Sequence, residues 1–166
     1  QTGQNVQPMI RGIGTTITAV GADANVALYI DGVYQSAQTS NSFALPDLDR
    51  IEVLKGPQGP LFGRNATGGA IVIHTKEPSF TPTGSLNLSY GSFNEFIARG
   101  YLSGPISNTL AASISFVSTH DRGYTWNATR NEWNSETDED TVRARFLWEP
   151  VPDLKILLTG QYSDRA

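Results

Sequence analysis

The sequence predicts a mostly β protein in two parts, and three observations carry that reading. Charged residues make up only 17% of the 166-residue chain and hydrophobic ones 39%, with 16 glycines and 9 prolines. That balance suits short strands joined by many turns. Residues 1–80 mix brief β runs with glycine-rich loops and hold no sustained period, whereas from about residue 84 five successive segments alternate apolar and polar side chains. No helix of ordinary length is expected in either part.

In the first part, Val26-Ala-Leu-Tyr-Ile30 is a compact strand ending at the turn dipeptide Asp31-Gly32, and Val33-Tyr34 resumes it as a hairpin. Phe43 to Asp49 reads as loop or a short helical turn, and Arg50 to Leu54 as a strand. Two turn signals follow, Gly56-Pro57 and Gly59-Pro60, then Gly63 and the pair Gly68-Gly69, before the β run Ala70 to Thr75. Glycine at this density lets backbone approach backbone and permits positive φ.

From about residue 84 the period is two. Leu86, Leu88 and Tyr90 share a face; so do Phe96, Ala98, Gly100 and Leu102, and Leu110, Ala112, Ile114 and Phe116. Val142, Ala144, Phe146 and Trp148 make a fourth such stripe, and Leu154, Ile156, Leu158 and Tyr162 a fifth. Each segment approaches the roughly 10 residues with which a tilted strand crosses an outer membrane. Aromatics near the ends (Tyr90, Phe96, Trp148, Tyr162) suit an interfacial girdle. A soluble antiparallel sandwich, acting as a binding or adhesion module, alternates in the same way. Loop lengths favour the membrane reading: Gly91–Asn94, Pro105–Asn108 and Pro150–Asp153 are short, and His120–Asp140 is long. Tight turns at one end and longer loops at the other are the habit of such barrels. Five strands cannot close without free edges, so the chain is expected to be a piece of something larger.

The stretch Asp49 to Ile71 (D-R-I-E-V-L-K-G-P-Q-G-P-L-F-G-R-N-A-T-G-G-A-I) resembles the plug-domain signature of TonB-dependent outer-membrane receptors. That signature reads approximately I-E-V-L-R-G-P-Q-G-x-L-[FY]-G-x-x-[AST]-x-G-G-x-I-x-I. The chain departs from it at Lys55, where arginine is usual, and at Pro60, where threonine or serine is. Met9 to Thr15 resembles the family's Ile-Arg-Gly element, Val26 to Tyr34 its V-x-[VL]-Y-[IV]-D-G-V-Y element, and Ile73 to Pro78 the end of the plug. The resemblance covers residues 9–78 motif by motif; beyond that the likeness to a barrel is one of texture.

This resemblance implies a plug fragment over residues 1–80 and the first five or so strands of a barrel of about 22 strands over 81–166. It implies a receptor in the bacterial outer membrane that imports a scarce nutrient by plug gating. The cargo would be an iron chelate such as a ferric siderophore, cobalamin, or an oligosaccharide glycan. Its partners would be the TonB energy-transducing complex and outer-membrane lipid, with no cofactor and no catalysis. Arg11, Gly12, Asp31, Gly32, Glu52, Lys55, Gly56, Arg64, Gly68 and Gly69 are the motif positions. Among them Arg11, Glu52, Lys55 and Arg64 would lock the plug against carboxylates of the inner barrel wall, or lie on it as solvated charges. The family's earlier plug strands and its TonB-contacting box are not visible, nor is a signal peptide ahead of Gln1, so a truncated or mature piece is expected.

Other functions find little in the chain. A net charge of −4 lacks the basic face of a nucleic-acid binder. The absence of cysteine removes disulfide scaffolds and thiolate metal sites. Gly12-x-Gly14 is followed by Ile17 where a dinucleotide loop has its third glycine, and Gly59 to Gly63 precedes no Lys-Ser/Thr, so neither phosphate-loop pattern holds. His74 and His120 lack ligand-spaced partners, and no Gly-x-Ser-x-Gly elbow occurs. Between Asp121 and Asp140, Trp126 and Trp133 with Tyr124, Arg122 and Arg130 read either as loop packing and girdle or as a ligand-contacting loop. The polar stretches Gly14–Asn25 and Gln35–Ser42 read as outward plug apices.

Overall fold

The computed structural model describes residues 8–14, 25–35, 45–62, 66–123, 125–129, 132–134 and 136–165. The chain divides into two units: Gln1–Phe43 with Leu48–Lys76, and Ala44–Asp47 with Glu77–Ala166. No helix among the described residues is long and apolar enough to cross a membrane.

The first unit is a four-stranded sheet of β1 (Val26–Ile30), β2 (Val33–Tyr34), β3 (Leu48–Lys55) and β4 (Gly69–Thr75), in the order β2-β1-β4-β3. A four-residue helix, α1 (Gly59–Phe62), lies between β3 and β4 in sequence. Asp31 and Gly32 have φ of 47° and 81°, the two positive angles that a tight two-residue hairpin turn requires. β1 and β4 run parallel at the centre of the sheet, with Ala27 opposite Ala70 and Tyr29 opposite Val72. Central parallel strands are covered on both faces, which is why these two read as continuous apolar runs. Ala27, Ala66 and Ala70 are fully buried, and Tyr29, Tyr34, Leu54 and Phe62 pack against them. Tyr29 meets the Phe62 ring edge-on at 5.1 Å, and its hydroxyl donates to the Phe62 carbonyl at 3.0 Å. One tyrosine thus ties the short helix to the central strand.

The second unit is an antiparallel meander of β5 (Thr83–Tyr90), β6 (Phe96–Pro105), β7 (Leu110–Asp121), β10 (Thr137–Val151) and β11 (Leu154–Arg165). Two three-residue strands, β8 (Thr125–Asn127) and β9 (Glu132–Asn134), form a separate ribbon between β7 and β10. Register carries the alternation across the sheet. Leu86, Gly100, Phe116, Val142 and Tyr162 fall in one row, and Ser85, Tyr101, Ser115, Arg143 and Gln161 in the next. The Phe116 ring lies over Gly100 so closely that an added Cβ would meet it at 2.2 Å.

Burial decides which face is which. Ile114, Val142, Phe146, Leu158 and Tyr162 are 51%, 44%, 45%, 63% and 70% exposed, whereas Ser113, Ser115, Arg143 and Arg145 are 6%, 2%, 5% and 2% exposed. A water-soluble sandwich buries its apolar face and wets its polar one. This sheet does the reverse, the arrangement of strands whose outer face meets lipid. β10 runs through Pro150 to Val151, into the turn expected at Pro150–Asp153, and a register shift between Trp148 and Val151 accommodates the proline.

Candidate functional site

The glycine motif folds back on itself. Lys55 pairs with Gly69 in the β3–β4 ladder, the Gly56 amide donates to the Gly68 carbonyl at 3.3 Å, and that of Gln58 to the Ala66 carbonyl at 2.8 Å. Gly69 has φ of 145°, and a Cβ there would lie 2.4 Å from the Leu54 carbonyl oxygen and 2.7 Å from the Ile10 side chain. At Gly68 a Cβ would lie 2.7 Å from the Ile13 side chain. The paired glycines therefore form the bed on which the Ile10–Ile13 turn rests. That turn carries Arg11 and Gly12 at φ of 52° and 77° and is closed by reciprocal 2.9 Å backbone bonds between Ile10 and Ile13. Arg11 is exposed. Arg64 lies outside the described residues.

Asp31 joins the hairpin turn to the end of β4. One of its carboxylate oxygens accepts from the Thr75 amide at 2.8 Å and the other from the Thr75 hydroxyl at 2.7 Å. Glu52 sits mid-strand in β3 and belongs to a separate charge group: Arg50 Nε donates to it at 2.8 Å and His74 Nε2 lies 3.3 Å away. The Arg50 hydrogen bond holds the Glu52 carboxyl below its ordinary value, helped by charge attraction from His74 and Arg50 and opposed by desolvation. Among the described residues no group of three or more His, Cys, Asp or Glu could hold a metal ion.

In the second unit Asp47 is 1% exposed and accepts from Arg143 Nη1 at 3.3 Å, with Arg145 one strand step away on the same buried face. Sequence reasoning passed over Asp47; the available hint was two arginines on the polar stripe of β10. The connection after residue 76 is held by Lys155 Nζ on Glu77 at 2.6 Å, by the Tyr101 hydroxyl donating to the Glu77 carbonyl at 3.2 Å, and by the Ser79 amide donating to Ser103 Oγ at 2.8 Å.

At the tip of the long connection, Trp126 and Trp133 face each other across the β8–β9 ribbon, with ring centroids 5.2 Å apart and planes at 65°. Arg122 Cζ lies 4.8 Å from the Trp133 ring centroid. The indoles are 47% and 38% exposed.

A sheet with apolar strands outward and a polar inner face, preceded by a glycine-bedded unit of mixed topology, defines an outer-membrane barrel protein with a plug. Residues 1–70 match the family described as TonB-dependent Receptor Plug Domain. The pesticin receptor of Yersinia pestis is 39% identical over 99 residues, covering 59% of this chain and 15% of the receptor. The ferric enterobactin receptor PirA of Pseudomonas aeruginosa is 29% identical over 175 residues, covering 92% of this chain and 24% of the receptor. The crystal structure of the ferric yersiniabactin uptake receptor FyuA from Yersinia pestis superposes with a TM-score of 0.78 at 30% identity, over 85% of this chain and 23% of FyuA. The pyoverdine receptor FpvA of Pseudomonas aeruginosa, at 20% identity and a TM-score of 0.71, shares the fold. Residues 1–70 thus carry a TonB-dependent receptor plug domain, and the chain as a whole is similar to parts of outer-membrane siderophore receptors. It spans 15% and 24% of the two curated relatives named, which are receptors rather than enzymes.

Proposed function

We propose that the receptor to which this chain belongs binds a ferric siderophore at the cell surface and imports it with energy relayed by TonB. The observation that carries this reading is the likeness to FyuA, a ferric yersiniabactin uptake receptor, at 30% identity over 85% of the chain. The pesticin and enterobactin receptors fall in the same line of relatives.

In this reading the plug occupies residues 1–80 and the barrel begins with the five strands of 81–166. Gly68 and Gly69 give the plug its close contacts with Ile13, Leu54 and Ile10, and Gly12, Gly32 and Gly56 supply the positive φ of its turns. Asp31 clamps the hairpin turn to β4, so that a pull on the plug acts on the sheet as a unit. Arg11, Glu52, Lys55 and Arg64 serve as charged contacts that lock the plug at rest and release it under load. The mechanism is gated transport: ligand binding on the outer side licenses TonB to act from the periplasm, and the plug yields.

The test is uptake of radioactive iron by cells carrying the full receptor, with and without TonB. Accumulation of iron from a ferric siderophore only when TonB is present is the expected result. Uptake of labelled cobalamin or oligosaccharide in its place would refute the siderophore assignment.

A further inference from the structure

We propose that Asp47 is a traction stop: it pins the chain where the β3–β4 hairpin begins, so that a pull on the plug draws out residues ahead of it and leaves the hairpin in place. The inference rests on the reading that TonB acts by pulling on the plug, and it assigns which part of the plug moves.

Connectivity comes first. The chain enters the second unit at Ala44–Asp47, leaves it for Leu48–Lys76, and returns to it at Glu77. Both crossings are held. Asp47 is buried and accepts from Arg143 Nη1 at 3.3 Å, in the middle of the 15-residue strand β10. Beyond residue 76, Pro78 is buried, the Tyr101 hydroxyl donates to the Glu77 carbonyl at 3.2 Å, and the Ser79 amide donates to Ser103 Oγ at 2.8 Å. Between these two anchors lie β3, α1 and β4, and the ladder sets Leu48 opposite Thr75. The hairpin is therefore gripped at both ends of its open base.

Mechanics comes next. The strands of the second unit are held by the membrane, so traction on the chain enters from residues ahead of Asp47. Among the described strands it meets β1 first. β1 and β4 run parallel, from Val26 opposite Gly69 to Ile30 opposite Ile73. β1 is pulled at its N-terminal end, while β4 is held just beyond its C-terminal end, at Glu77. Load at opposite ends of a parallel pair falls on all its hydrogen bonds together, in shear. Asp31, with both carboxylate oxygens on Thr75, strengthens the same joint. That joint resists and then fails as a unit. The β3–β4 hairpin is loaded differently. Pulled at Leu48 while Thr75 is held, an antiparallel pair opens one step at a time and needs little force. Without an anchor at Asp47, the pull that frees β1 would go on to unzip it. Burial makes the anchor firm, because water cannot replace either charged partner until the two have already parted.

The experiment is single-molecule force extension of the full receptor in a lipid bilayer, pulled through a tag at the N-terminus of the mature protein. In the unaltered receptor, extension should pause once the chain is taut as far as Asp47. Asp47→Asn should remove the pause and let the chain run on to Glu77. That path is 77 − 47 = 30 residues, or about 100 Å at roughly 3.4 Å each, and its ends start close together. A disulfide made by Val53→Cys with Ile71→Cys, which face each other in the ladder, lies within the reach of such a bond. It takes 71 − 53 = 18 residues out of the path. In the Asp47→Asn receptor it should cut the gain to about 40 Å; in the otherwise unaltered receptor it should leave the pause where it was. Equal extension with and without Asp47→Asn would overturn the proposal. So would a cross-link that shortens the extension reached with Asp47 present, a result that requires no variant at Asp47 to fold. Iron uptake by cells carrying the cross-linked receptor should be unchanged, and a loss restored by reductant would also overturn the stop. Uptake that does not depend on TonB would sink the import reading, while the stop would still be decided by the extension lengths.

Discussion

Replacing Asp47 should destabilise the second unit more than any other single carboxylate change among the described residues. Asp47 is 1% exposed and lies 3.3 Å from an Arg143 side chain that is 6% exposed. At that distance and an effective dielectric of ~20, the attraction is about 5 kcal/mol. Desolvation of both groups cancels much of it in the intact pair, but not when one partner is removed. Asp47→Ala removes this carboxylate from the buried Arg143 guanidinium. The expected loss is about 3–5 kcal/mol. The assay is urea unfolding of the full receptor in detergent micelles, followed by circular dichroism. Asp47→Ala combined with Arg143→Gln should lose less than the sum of the two single substitutions, giving a favourable coupling energy in the double-mutant cycle. A loss below about 1 kcal/mol, the range of solvent-exposed pairs, would refute the reasoning.

Three further outcomes follow from the geometry. Gly69→Ala should cost at least about 1–3 kcal/mol from backbone strain alone, because its φ is 145° and the Leu54 carbonyl would lie 2.4 Å from the new Cβ; proteolysis of the plug reads it out as earlier cleavage. Ile114→Arg should cost about 2–4 kcal/mol if the residue sits near the bilayer midplane, and Ser113→Ala, on the opposite face of β7, should change folding into vesicles far less. Glu52 has a depressed pKa, so the stability it contributes is present above the ordinary carboxylate value and is lost as pH falls through the depressed one. Acid titration of plug stability should therefore flatten in Glu52→Gln.

Local chemistry made much of this fold legible. Asp31-Gly32 announces its turn because few other residue pairs accept two positive φ angles, and the β1–β2 hairpin follows from it. The five-strand alternation was equally plain, since a period of two needs no partner to be seen. Alternation does not say which solvent each stripe meets; only the buried serines and arginines of β7 and β10 do. The parallel pairing of β1 with β4 joins strands separated by β2, β3 and α1, and no local pattern encodes it. Asp47 and Arg143 are 96 residues apart in sequence, so their pairing was hidden although the polar stripe of β10 was not. The reason for two adjacent glycines at 68 and 69 also emerged only with Ile10 and Ile13 in place above them. Trp126 and Trp133 read as loop aromatics; their mutual packing comes from the register of the β8–β9 ribbon.

The most direct test of the central claim is the intact mass and membrane partitioning of the native protein that contains this sequence. The account predicts a protein integral to the outer membrane, released only by detergent, with a mass several-fold above the 18.0 kDa of this chain. A native protein of 18.0 kDa that partitions into water would contradict it, because the exposed apolar face of β5 to β11 would then have no lipid to meet.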